Sequence, residues 1–135
     1  MRAALLREVA ETEDGLWLDA TGDSMGATIR TGDRLHVRAG SVGGPRPGEV
    51  WVVVAGGGEV LVHRCVAAEA GRFTFRGDAR FRTDPPVGAD RLIGVVARVD
   101  PPRRHVAPPA RPTLWRVRGL PRAAASSIRR RLPHR

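Results

Sequence analysis

Apolar and polar residues alternate one by one through Arg34-Leu35-His36-Val37-Arg38 and again through Arg72-Phe73-Thr74-Phe75-Arg76. That is the period of a strand with one buried face. Between them, Glu49-Val50-Trp51-Val52-Val53-Val54 is a continuous run rich in β-branched residues, the pattern of a strand buried on both faces. Gly56-Gly57-Gly58 then turns the chain into Glu59–Val66, which is predicted to be its hairpin partner. Leu16–Ala20 reads as a short early strand and Arg91–Val99 as the last one. Residues 2–12 carry Leu5, Leu6 and Val9 on one face and are predicted to form a single short amphipathic helix. These elements together predict an all-β domain.

Composition narrows this picture. At 135 residues the chain has room for one small core. Its 16 glycines and 11 prolines favour strands and turns over long helices. A single cysteine, Cys65, excludes an internal disulfide and fits a reducing compartment. The N-terminal residues hold no apolar run long enough for a signal peptide or a membrane span, so a cytoplasmic protein is expected.

The charge is unevenly placed. There is no lysine, and all 23 basic residues are arginine. Residues 1–100 hold 13 arginines and all 14 acidic residues, whereas residues 101–135 hold 10 arginines and no acid. The formal charge of +9 therefore belongs to the tail. This predicts a boundary at Pro101-Pro102 between a domain over 1–100 and a Pro/Arg-rich tail over 101–135. After Pro121 the tail could form a short helix with Ile128 and Leu132 one turn apart. An anionic surface is the expected partner of such a tail. Aromatic interleaving stops at Trp115, and a nucleic-acid partner is disfavoured.

The candidate chemistry centres on Gly22-Asp23-Ser24-Met25, with Gly32-Asp33 following. Glycine suits a sharp turn, and a turn between two strands can present a serine hydroxyl outward. An ordinary surface turn has the same look, so the serine needs a base elsewhere in the chain. Lysine is ruled out by composition. His105 and His134 fall in the tail, and His36 shares a strand face with Arg34 and Arg38 and is expected to be solvated. His63 stands inside an apolar strand, which leaves it as the candidate base. A carboxylate should fix the imidazole tautomer, and Asp78 and Asp84 flank a turn from which either could serve. No zinc-ligand pattern occurs in the sequence, and no metal or organic cofactor is implied.

Four segments in order carry a family resemblance. Gly22-Asp23-Ser24-Met25-Gly26-Ala27-Thr28-Ile29-Arg30-Thr31-Gly32-Asp33 resembles the serine box of the signal-peptidase and LexA-like serine peptidases. The stretch from Pro45 to Val54 is similar to their next segment, in which a glycine-acid pair starts a buried strand. Val62-His63-Arg64 resembles the histidine box of the endoplasmic-reticulum type of signal peptidase, and Gly77-Asp78 with Asp84 resembles its third box. Leu92–Val96 is similar to the closing strand.

The resemblance implies a coiled β fold of the signal-peptidase/LexA type with short peripheral helices. It also implies a nucleophile at Ser24, a base at His63, an orienting acid at Asp84 and a structural or substitute acid at Asp78. Gly22 stands where signal peptidases often have a serine, so the oxyanion donors implied are the main-chain N–H groups of Asp23 and Ser24. Ala27 replaces the usual proline and removes no reacting group. The membrane helices of true signal peptidases are missing from the sequence, as in small members of the clan associated with maturation of short modified peptides. Leu114-Trp115-Arg116 resembles a C-terminal extension that some of those carry.

The expected function is that of a soluble serine endopeptidase acting on a peptide or protein precursor. Two alternatives stay open: an inactive peptide-binding module on the same fold, and a protein that binds an anionic partner through its tail.

Overall fold

The computed structural model describes residues 2–102; the basic tail beyond them, with its expected helix, lies outside the described residues. One helix, α1 (Arg2–Ala10), precedes six strands: β1 (Leu16–Asp19), β2 (Arg34–Arg38), β3 (Val50–Val54), β4 (Val60–Glu69), β5 (Arg72–Arg76) and β6 (Leu92–Asp100). A short 3-10 turn at Ala89–Arg91 leads into β6. The strands form one sheet in the order β1-β2-β6-β3-β4-β5, with every neighbouring pair antiparallel. Among the described residues no helix is long and apolar enough to cross a membrane.

The sheet buries both faces in its middle, as the continuous run of β3 requires. Val50 and Val52 face a first core built with Leu35, Val37, Ile93, Val96 and Val99. Trp51 and Val53 face a second core with Cys65, Phe73, Phe75, Leu92 and Val95. Burial inside this second core pushes the Cys65 thiol up to about 12, with the Glu49 carboxylate adding to the effect, so the thiol stays protonated at neutral pH. The helix is tied to the sheet by Arg7, which donates to the carbonyls of Leu92 and Asp90 at 2.6 and 2.7 Å.

The 14 residues between β1 and β2 form the serine turn. Met25 and Ile29 from this turn sink into the first core, at 4% exposure each. Burial of two such side chains contributes roughly 1.5–3 kcal/mol apiece, which anchors an otherwise irregular segment. Asp33 closes the turn: its carbonyl accepts from the Ala20 N–H, and its carboxylate accepts from the Arg30 N–H at 2.9 Å.

His36 is half-buried, on the same strand face as the exposed Arg34 and Arg38. Its ring stacks on Trp17, the residue opposite it across the β1–β2 pair, with centroids 4.5 Å apart. Its Nε2–H donates to the Asp14 carbonyl at 2.8 Å. Only the strand register brings these rings together. β4 also runs past the predicted Val66 to Glu69, because β5 pairs with Ala67, Ala68 and Glu69 through a bulge.

Candidate active site

Three elements converge at one end of β4. The serine turn supplies Ser24, β4 itself supplies His63, and the segment after β5 supplies Asp78 and Asp84. Gly22 and Gly26 bracket Ser24 with φ of +91° and +58°, a backbone region open to glycine at little cost. His63 is 6% exposed and faces the same side of the sheet as Trp51, its partner across the β3–β4 pair.

The three side chains form a line. Nδ1 of His63 lies 2.5 Å from Oδ2 of Asp84. An ionised carboxylate can only accept, so Nδ1 carries the proton and donates it to this bond. Nε2 is then left with a lone pair that accepts from the Ser24 hydroxyl at 3.0 Å. A hydroxyl so placed can pass its proton to the imidazole as Oγ attacks a carbonyl carbon. Asp84 is itself held by its N–H, which donates to the Phe75 carbonyl at 2.8 Å.

Asp78 is placed elsewhere. Its carboxylate accepts from Arg64 Nε at 2.9 Å, from the second Arg64 nitrogen at 2.8 Å and from the Thr28 hydroxyl at 2.6 Å. Thr28 belongs to the serine turn and Arg64 directly follows His63, so this carboxylate ties the two segments together. Burial pushes its pKa up, but the hydrogen bonds from Arg64 and Thr28 and the charges of Arg64 and Arg76 outweigh that and lower it below the usual carboxylate range. A second tie is exposed: Asp23 accepts from Arg80 at 2.8 Å, and this arginine lowers the Asp23 pKa. A third is main chain, from the Ala79 N–H to the Ser24 carbonyl at 2.8 Å.

A family model described as Peptidase S24-like matches residues 2–79. The chain belongs to this Peptidase S24-like family. Its fold is that of a peptidase domain, and the family it belongs to is one of serine-peptidase type. The Peptidase S24-like match takes in Ser24, His63 and Asp78 and ends before Asp84. No curated protein matches the chain.

Within this Peptidase S24-like domain, the structure adds residues that sequence reasoning passed over. Gly77 is buried between Ser24 and His63: a Cβ on it would lie 2.5 Å from the Ser24 carbonyl oxygen and 3.1 Å from His63 Nε2. Arg64 and Thr28 lie inside the segments that resemble the histidine and serine boxes, and Arg80 lies in the turn between Asp78 and Asp84. The available signal was the glycine immediately before an acid in the third box. No group of three or more His, Cys, Asp or Glu side chains able to hold a metal occurs among the described residues.

Proposed function

We propose that this chain is a serine endopeptidase using Ser24 as nucleophile, His63 as general base and acid, and Asp84 as the group that orients the imidazole. The observation that carries this reading is the unbroken line of hydrogen bonds from Asp84 through His63 to Ser24. The two hydrogen-bonded contacts fall within or close to the range in which such groups exchange protons, about 2.6–3.2 Å.

The chemistry runs in two halves. Ser24 Oγ forms a bond to the peptide carbonyl carbon while its proton passes to His63 Nε2. The C–N bond then breaks, and His63 gives that proton to the departing amine. Water repeats the sequence on the acyl-enzyme: its proton goes to Nε2, its oxygen bonds to carbon, and the C–Oγ bond breaks as Ser24 regains a proton. Negative charge on the carbonyl oxygen is received by the main-chain N–H groups of Asp23 and Ser24. Asp78 holds the serine turn against the end of β4 and takes no proton.

The substrate is a peptide or protein precursor lying extended beside a strand edge. β1 is at one end of the sheet and runs into the serine turn, which suits it to that task. A cytoplasmic setting and an anionic partner for the arginine-rich tail complete the reading, with residues 1–100 as the catalytic unit.

A fluorophosphonate probe tests it. Only an activated serine reacts with such a probe, so the wild type should be labelled at Ser24 and Ser24→Ala should not. An unlabelled wild type would instead indicate a peptide-binding module.

A further inference from the structure

A cleft of about 570 Å³ opens beside the hydrogen-bonded line, with His63 and Asp84 in one wall. This volume lies within the span of ligand-binding clefts, roughly 300–1,000 Å³. Its lining is mixed: Leu61 and Val87 are half-buried apolar side chains over the core residues Val53 and Phe75, and Glu59 and Asp90 stand with Asp84 as acidic residues around it. The arginines on its border are engaged with main chain: Arg72 donates to the Pro86 carbonyl and Arg91 to the Ala55 carbonyl. Ser24 is not among the described residues that line it.

Resting on the peptidase reading above, we infer that this cleft receives the leaving-group side of the substrate and selects apolar residues just after the scissile bond. The carbonyl carbon must meet Ser24 Oγ, and the departing nitrogen must come within reach of His63 Nε2. The chain beyond that nitrogen therefore starts at the imidazole, and the cleft is the space that the imidazole and Asp84 border. Main-chain pairing cannot hold the peptide against the nearby outer edge of β5. That edge is already bonded to the following segment, by Phe73 and Val87 exchanging both hydrogen bonds and by the Asp84 N–H on the Phe75 carbonyl. Pro85 and Pro86 in the cleft wall offer no N–H either. With main-chain pairing closed off there, recognition falls to side-chain contact: burial against Leu61 and Val87 favours an apolar residue, and the acidic Glu59, Asp84 and Asp90 around the cleft disfavour an acidic one.

The test is to digest a peptide mixture derived from a whole proteome with the full chain and to sequence the new N-termini. Fluorophosphonate labelling of Ser24 is followed in parallel. Aliphatic and aromatic residues should be enriched in the first positions after the cut. Leu61→Arg, which puts a charge into the cleft, should abolish that enrichment and lower kcat/KM for such peptides roughly tenfold or more, with labelling of Ser24 retained. Ala55→Phe, which fills the half-buried wall without touching the cores, should do the same and covers the case in which Leu61→Arg does not fold. The proposal is overturned if Ser24 is labelled but cleavage shows no apolar preference on that side, if the preference lies only before the cut, if it survives both substitutions, or if no peptide is cut. An unlabelled wild-type Ser24 overturns the peptidase reading itself, and this inference with it.

Discussion

Gly77 lies so close to Ser24 that a side-chain carbon on the glycine would sit 2.5 Å from the serine's carbonyl oxygen. The obstacle is backbone, which cannot swing aside as the end of a flexible side chain can. Gly77→Ala should therefore push the serine turn away from β4 and lengthen the Ser24–His63 contact. A destabilisation of about 1–3 kcal/mol is expected from overpacking of this kind, together with loss of Ser24 labelling. Thermal unfolding and probe reactivity measure the two effects. An alanine variant of unchanged stability and reactivity would show that the turn has more freedom than this close approach implies.

Asp84→Asn should leave the fold intact and lower the cleavage rate by about a thousandfold or more. An amide can donate to Nδ1 and so favour the wrong imidazole tautomer, the effect seen when the acid of a serine-protease triad is replaced. Steady-state kinetics with any peptide the wild type cleaves gives the ratio, and circular dichroism checks the fold. If Asp84→Asn is silent and Asp78→Asn disabling, the two roles assigned here are reversed.

Asp78→Asn should act mainly on stability. It weakens charge-assisted hydrogen bonds worth roughly 1.5–3 kcal/mol each where well formed, with the lower end fitting a carboxylate that is partly exposed. The sign with pH follows from its lowered pKa. The contribution of this carboxylate is fully present above the pKa it has in the unfolded chain, and it is lost as pH falls through the lower value of the folded state. The stability difference between wild type and Asp78→Asn should thus be constant near neutrality and shrink on acidification below the usual carboxylate range. Urea unfolding at a series of pH values checks this.

Much of the sheet is legible in residue patterns. The alternation in Arg34–Arg38 places Leu35 and Val37 inward, and both are fully buried. The unbroken run of β3 reads correctly as a strand covered on both sides, and an apolar strand around His63 foretells its burial. Other features depend on contacts between distant segments. The His36 ring stacks on Trp17 because the register sets the two opposite each other. Asp78 and Asp84 are six residues apart in an irregular stretch with no periodicity to orient them. The resemblance favoured Asp84 as the partner of His63, and local pattern could not. Arg64 tying Asp78, and the cleft between the β3–β4 hairpin and residues 84–91, come from tertiary packing that no short window contains.

The central claim is that Ser24 and His63 work as one unit, and the direct measurement is a comparison of peptide cleavage by the wild type, Ser24→Ala, His63→Ala and the double variant under identical conditions. Residues that act together are strongly non-additive. Each single substitution should reduce cleavage to background, and the double variant should be hardly worse than either. Full activity in His63→Ala, or losses that multiply in the double variant, would contradict the mechanism.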